Sequence, residues 1–426
     1  MRIYHLKMMS HNILIVTQYF YPENFRINTV AKLLALKGCT VTVLTGCPNY
    51  PDGKPFDGHS SLNIGLERHP DGFIIHRVPI ITRGGGSSLR LFFNYLSFII
   101  SGILFGRYVL RNTKFDLVFV YAPSPIFQSL VGIYFKQLRG VPVVTWVQDL
   151  WPECLQSTGH FKNKAILNLI SKAVGWTYRQ HNLLLTQSKS FISSVKLKAG
   201  SVPVKYFPNP GDENLNQIHL ALPVLVENFF LNSGFNIVFA GNLGTVQSLP
   251  TIVEAAEILR DNGNIRFILF GSGSLSEWLK HEIQIRGLKN IVLAGRYPPD
   301  AMPAILNRAS ALLVSLNHDP ILNQTVPAKL QSYLSAGKPI IASLGGEGAQ
   351  IVVEAEAGFV CPAQDPIALT KTIIKLNDMS QKQLDAMGAS GKRYFSENFE
   401  PNMLVEELIS VFTETISKDL SNKDDE

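Results

Sequence analysis

The sequence is short of cysteine, of charge and, in its first half, of acid. Its four cysteines, Cys39, Cys47, Cys154 and Cys361, are scattered through 426 residues and form no Cys-x-x-Cys pair. Neither a disulfide framework nor structural zinc is expected, and a reducing cytoplasm is the setting that fits. Charged residues make up 17% against about 25% in an average domain, while 46% are hydrophobic. That balance excludes intrinsic disorder, which requires low hydrophobicity and high net charge. No Walker loop, Gly-x-Ser-x-Gly elbow, Asp-x-Asp pair or His/Cys/acid cluster with zinc spacing occurs. The chemistry is therefore expected to need no protein-held metal or cofactor, and to rest on positioning and on charge stabilisation of a leaving group.

Long apolar runs are scarce too. Leu91–Gly106 spans 16 residues between Arg90 and Arg107 and contains Asn94, Ser97 and Ser101, where a spanning helix needs about 20 apolar residues. It reads as a buried helix of an α/β domain, or as a helix dipping into the headgroup region with arginines meeting anionic lipid; one face can do each. The uncharged run Leu117–Phe135 is broken by Pro123 and Pro125, so no transmembrane span is expected. Met1–Ser10 is a polar lead-in without a signal-peptide core, and Met1, Met8 and Met9 are all candidate starts.

What is present is ordered alternation. Short apolar runs at 13–17, 40–45, 74–78, 117–121, 143–147, 183–186 and 205–207 read as strands, with helical patterns between. After a polar stretch, Pro208–Gln217, a second series follows at 236–240, 266–270, 291–294, 311–315, 340–342 and 358–361. Such alternation predicts α/β architecture with parallel sheets covered on both faces. Two doubly wound, Rossmann-like domains are expected, at 1–210 and 211–400, facing across a cleft into which the carboxyl ends of the strands point. Residues 401–426 are expected to add a C-terminal helix that crosses back to the first domain, ending in a frayed charged tail from Ser417. The net charge of +6 divides unevenly: residues 1–210 hold 23 Lys and Arg against 8 Asp and Glu, and residues 211–426 hold 16 against 25.

Three loops at one edge of the first sheet carry polar and aromatic groups. They are Gln18-Tyr-Phe-Tyr-Pro-Glu-Asn-Phe-Arg-Ile-Asn28, Cys47-Pro-Asn-Tyr-Pro-Asp-Gly-Lys54 and Val147-Gln-Asp-Leu-Trp-Pro-Glu153. In the second half, Phe239-Ala-Gly-Asn-Leu-Gly244, Gly271-Ser-Gly-Ser274 and Gly345-Gly-Glu-Gly-Ala349 follow strands, where glycine lets backbone approach a ligand closely. Ser276 stands where a dinucleotide fingerprint would have its third glycine. In Thr325-Val-Pro-Ala-Lys-Leu-Gln-Ser-Tyr-Leu-Ser-Ala-Gly-Lys-Pro339, Pro327 opens a helix and Gly337 closes it. Lys329 then sits in the first turn, a cation at the positive end of a helix, which points to an anionic ligand such as a diphosphate.

At these residues the chain resembles the family 4 glycosyltransferases of GT-B fold, in the subgroup of colanic-acid and O-antigen fucosamine transferases that build bacterial surface polysaccharides. The resemblance covers nearly the whole chain. It rests on Gln18-Tyr-Phe-Tyr-Pro-Glu, Pro48-Asn-Tyr-Pro-Asp-Gly-Lys, Gln148-Asp-Leu-Trp-Pro-Glu, Phe207-Pro-Asn-Pro, Gly241-Asn-Leu-Gly and Pro327-Ala-Lys-Leu-Gln-Ser-Tyr-Leu-Ser-Ala-Gly-Lys-Pro. It implies a nucleotide-sugar donor, a UDP-sugar, held by the second domain, an acceptor held by the first, and transfer with retention. By the same resemblance, Lys329 contacts the donor diphosphate, and Gly241, Asn242, Gly244, Gln247, Gly271, Thr325, Gly345, Gly346, Glu347, Gly348 and Ala349 line the donor pocket. Arg296 and Tyr297 lie beside the base. Asp149 and Glu153 border the reacting centre, and Glu23, Asn24, Phe25, Arg26, Asn49, Tyr50 and Trp151 bind the acceptor.

The sequence departs from the family pattern in three places. Asn242 and Gln247 stand where many members have an Arg/Lys pair; Gln324 and Ser332 stand where the two glutamates of a Glu-x7-Glu motif fall; Asn24 and Phe25 replace a Gly-Gly. Arg26 is the expected substitute cation. The expected partners are a nucleotide sugar, a polyprenyl-diphosphate-linked saccharide and an anionic membrane surface, with the enzyme on the inner face of the plasma membrane. The expected sugar is an N-acetylated deoxyhexosamine. Another GT-B activity (a UDP-sugar epimerase or a hydrolase) and a non-catalytic scaffold remain as alternatives. A hydrolase needs two carboxylates flanking the bond. Nucleic acid is not an expected partner, because the basic residues are dispersed rather than clustered.

Overall fold

The computed structural model describes residues 10–85, 87–157, 163–211, 224–230 and 234–424. Two compact units emerge. The first comprises residues 1–208 together with 401–426, and the second residues 209–400. The polar stretch Pro208–Gln217 that separates the two series of strands lies largely outside the described residues.

The strands of the first unit are β1 (Asn12–Val16), β2 (Thr40–Gly46), β3 (Gly65–Arg68), β4 (Ile74–Val78), β5 (Leu117–Ala122), β6 (Val143–Val147), β7 (Leu183–Thr186) and β8 (Val204–Tyr206). They form one sheet in the order β3-β4-β2-β1-β5-β6-β7-β8, parallel except where β3 pairs antiparallel with β4. The run Ile13-Leu-Ile-Val16 is apolar throughout because both of its faces are covered. Ile13 and Ile15 meet the Arg26–Leu36 and Pro401–Asp424 helices on one side. Leu14 and Val16 meet the Ser88–Val109, Ser129–Arg139, Lys164–Arg179 and Phe191–Ala199 helices on the other. Strand order reverses at β1, so the crevice between the carboxyl ends of β1 and β5 is where a ligand is expected to bind.

Two departures from the sequence reading belong to this unit. The edge strand β3 was not expected: Gly-Leu-Glu-Arg presents no buried face, and its pairing depends on Arg77 of β4 gripping Glu67. The tail expected to fray from Ser417 is instead helical as far as Asp424. The i,i+4 pairs Glu414–Lys418 (2.7 Å) and Asp419–Lys423 (2.5 Å) support it, and Lys423 also donates to the Gly140 carbonyl.

The second unit repeats the doubly wound plan with β9 (Phe235–Ala240), β10 (Ile265–Phe270), β11 (Ile291–Gly295), β12 (Ala311–Ser315), β13 (Ile340–Ser343) and β14 (Gly358–Cys361). Their order is β11-β10-β9-β12-β13-β14, all parallel, and it reverses between β9 and β12. Apolar clusters fill both faces of this sheet. Each reversal point is framed by loops that the sequence marked.

Candidate active site

In the first unit the loops after β1, β2 and β4 lock together around a buried carboxylate. Glu23 accepts from the backbone N–H groups of Phe20 (3.0 Å), Asn49 (2.8 Å) and Tyr50 (2.7 Å). Burial, opposed by these three donors, raises its carboxyl to about 7. Asn49, fully buried, donates to the Cys47 carbonyl (2.9 Å) and accepts from the backbone N–H of Arg83 (2.9 Å). Glu23 and Asn49, both expected to bind the acceptor, thus hold these loops together.

Beside the same loops Tyr19, Phe25 and Tyr50 pack as an aromatic platform, with Tyr19 buried and Phe25 and Tyr50 reaching the surface. Ring centroids are 5.4 Å apart for Tyr19–Phe25 and 5.3 Å for Phe25–Tyr50. The Arg83 guanidinium lies over Tyr50 at 5.0 Å and over Tyr19 at 5.7 Å. Asn94 anchors this edge by accepting from Gln18 (2.7 Å) and donating to the Ile81 carbonyl (2.5 Å). Phe25 and Tyr50 were expected here. Tyr19 belongs to the first loop motif, whereas Arg83 lies in none of the three. Asn24 is exposed and Arg26 half-buried at the helix start.

The expected catalytic pair separates into two roles. Asp149 follows β6, the strand next to β5, and is half-buried. Removal from water raises its carboxyl to about 6, against a hydrogen bond from Ser124 that favours the anion. Ser124 also accepts from Trp151 Nε1 (2.8 Å), so Trp151 fixes the group that positions Asp149. Glu153 instead forms an ion pair with Lys198, which also donates to the Trp151 carbonyl (3.0 Å). That pairing ties Glu153 to the Phe191–Ala199 helix, while Asp149 is bonded to Ser124 of the loop after β5.

In the second unit the loop after β10 is pressed against that after β9, and the loop after β13 against the segment after β12, which explains their glycines. Gly271 has φ +135, and a Cβ there would stand 1.8 Å from the Gly241 carbonyl oxygen. Gly346 has φ +69, and its Cβ would stand 1.8 Å from the Asn323 oxygen. Only glycine fits either position. Asn317 ties the loop after β12 to the loop after β9 through the Val246 and Thr245 carbonyls, both at 2.9 Å.

Lys329 stands at the centre of this group. It lies in the first turn of the Ala328–Ala336 helix, which has no acidic residue there. Its ammonium donates to Gln247 Oε1 (2.8 Å), lies 3.7 Å from the centroid of the Phe239 ring, and is close beside Gly241. Desolvation lowers its pKa to about 7. The helix is pinned to the end of β9 by Tyr333, whose hydroxyl accepts from the Ala240 N–H (2.8 Å). A cation held at a helix N-terminus, among glycine loops and without acidic compensation in its turn, is suited to a diphosphate.

The remaining residues expected to bind the donor lie on loops and helix starts of the same unit. Gln247 holds the lysine, Asn242 is exposed, and Gly244 and Gly348 are buried. Gly345 caps the Gly346–Glu354 helix, whose first turn contains the buried Glu347 and then Ala349. The Thr325 hydroxyl donates to the Ile321 carbonyl (3.0 Å). Tyr297 packs edge-on against Phe270 (5.6 Å), and Arg296 is exposed next to it.

The chain is similar to several known proteins. The family described as "Glycosyl transferases group 1" matches residues 234–378, the segment that contains every glycine loop and Lys329. The putative colanic acid biosynthesis glycosyl transferase WcaI of Escherichia coli is 26% identical over 321 residues, covering 71% of this chain and 75% of that protein. Among solved structures, sucrose-phosphate synthase from Thermosynechococcus elongatus aligns with a TM-score of 0.74 at 14% identity, over 96% of this chain and 100% of the other. HepE of Anabaena, solved with UDP and glucose, aligns with a TM-score of 0.67 at 15% identity, over 95% and 100%. The chain is thus a glycosyltransferase of the GT-B fold, with a glycosyl transferases group 1 domain in its second unit.

Proposed function

We propose that this glycosyltransferase moves a sugar, an N-acetylated deoxyhexosamine, from a UDP-sugar to a lipid-linked saccharide during synthesis of a bacterial surface polysaccharide, with retention at the anomeric carbon. The observation that carries the reading is Lys329, a desolvated ammonium among glycine loops with a neutral amide as its hydrogen-bond partner. A donor diphosphate supplies the charge that this site lacks. The glycines leave room for phosphates and sugar to approach backbone. The UDP and glucose of HepE support the donor class, and the colanic-acid assignment of WcaI supports the process.

In the proposed reaction the bond from the anomeric carbon to the diphosphate oxygen breaks, and one to the acceptor hydroxyl forms on the same face. The acceptor proton passes to the departing diphosphate, whose charge Lys329 stabilises. The Tyr19–Phe25–Tyr50 platform seats the acceptor saccharide, and Asp149 orients its hydroxyl. The lipid-linked acceptor places the enzyme at the inner face of the plasma membrane.

The test is UDP release by purified protein with a panel of UDP-sugars, with and without lipid-linked saccharide. Acceptor-dependent release is expected. Asp149→Asn should slow transfer about tenfold or more while leaving UDP binding unchanged. Release that is indifferent to acceptor would identify a hydrolase, and no release with any donor would sink the reading.

A further inference from the structure

We infer that the helical layer on one side of the first unit's sheet is a docking plane for an anionic lipid bilayer, formed by two apolar helix faces rather than one. The inference deepens the lipid-linked acceptor reading and rests on it. The Ser88–Val109 helix is turned inside out. It buries Asn94, Ser101, Gly102 and Gly106 together with Phe98, and presents Phe92 (58% exposed), Ile100, Leu104 (63%) and Tyr108 to the outside. The small residues are required inside: a Cβ on Gly102 would stand 2.9 Å from Val131, and one on Gly106 2.9 Å from Leu44. Twenty-two residues make a helix of about 33 Å, and this one is held flat along the sheet by its polar and small face. A helix facing water shows the opposite pattern.

The Lys164–Arg179 helix, packed over the same apolar cluster, repeats the pattern independently. Leu167, Val174 and Tyr178 point into the core, while Leu169 (69% exposed) and Trp176 (51%) point out. Leu197 on the adjoining Phe191–Ala199 helix is also exposed. Trp and Tyr beside Lys and Arg are the side chains that suit a membrane interface.

Charge selects the occupant. The four helices of this layer hold nine Lys and Arg and no Asp or Glu. Of these, Lys198 is paired with Glu153. Five of this unit's fifteen acids lie on the Pro401–Asp424 helix, which packs on the other face of the sheet. A second copy docking through the same face would oppose cation to cation, because a two-fold interface is self-complementary only if its charges are. Anionic headgroups over an apolar interior match both features.

The experiment uses the full chain with vesicles of phosphatidylethanolamine and phosphatidylglycerol, and of phosphatidylcholine alone. Sedimentation with the anionic vesicles only, weakening with salt, is expected. Tryptophan emission should shift to the blue on binding, and Trp176→Phe should abolish that shift. Leu104→Glu and Leu169→Glu should each cut vesicle binding tenfold or more, with melting curves and UDP release in solution unchanged. Absence of wild-type binding overturns the proposal, as does binding untouched by Leu169→Glu with no Trp176 shift. A dimer that Leu104→Glu dissociates in the ultracentrifuge overturns it as well. UDP release separates the two readings: its persistence without vesicle binding leaves sugar transfer standing, and vesicle binding without release leaves only the docking plane.

Discussion

Lys329 shows how one side chain can report on a ligand that only its surroundings imply. Its ammonium is protonated in the unfolded chain up to about 10.4, whereas desolvation brings the folded, unliganded group to about 7. Between these values the unfolded chain binds the extra proton, so the unliganded fold gains stability as pH rises through that window. A diphosphate reverses the preference by stabilising the cation. Donor affinity should therefore hold below about pH 7 and decline above it as binding comes to require proton uptake. Lys329→Ala is expected to weaken UDP binding by about 10- to 100-fold, the worth of one hydrogen bond to a charged group, and to flatten that pH dependence. Titration calorimetry across pH 6–9 measures both, and an affinity indifferent to the substitution would remove Lys329 from the donor site. The lysine and its helix were legible in sequence because Pro327, Gly337 and a misplaced charge are local signals. Gln247 as its partner was not, since the contact joins residues 82 positions apart.

At the level of elements, the strands were legible wherever burial on both faces made the run apolar, as in β6 and β12. They were not where pairing alone defined the strand, as in β3. The Pro401–Asp424 helix was legible as a helix, though not its full extent. Its continuation past Ser417 is supported by i,i+4 ion pairs and by Asn182, which donates to Asp419 (3.1 Å), while Lys37 and Lys205 pair with Glu406 (2.6 Å) and Glu414 (2.7 Å) before it. Exposed pairs of this kind contribute at most about 1 kcal/mol each. The larger contribution comes from Leu404, Val405, Leu408 and Phe412, which close the apolar cluster beneath β1 and β5. Leu408→Ala is expected to cost about 2–5 kcal/mol of stability, whereas Glu406→Gln should cost less than 1. Urea unfolding compares them directly. Equal losses would assign the helix to electrostatics instead of packing.

For the whole molecule, the fold redistributes the charge that the chain order suggests. Split at residue 210, the sequence is +15 and −9, but residues 401–426 are acidic and belong to the first unit. By unit the balance is 25 Lys and Arg against 15 acids in the first and 14 against 18 in the second. The basic character therefore belongs to one layer of the first unit, a distinction invisible until the sheet separates the helices. The acceptor platform is equally non-local: Tyr19, Tyr50 and Arg83 meet because β1, β2 and β4 are neighbours. The donor loops, by contrast, were each visible as glycines after a strand, and all belong to the second unit. That division makes the effect of UDP separable by hydrogen exchange. A ligand at 100 times its Kd stabilises the protein that binds it by about 2.7 kcal/mol. UDP should slow exchange over residues 241–247, 271–276, 325–333 and 345–349, where backbone amides line the proposed phosphate site. Residues 47–53 around the aromatic platform should keep their rates until acceptor is added. Protection by UDP of the platform and not of the glycine loops would reverse the assignment of donor and acceptor to the two units.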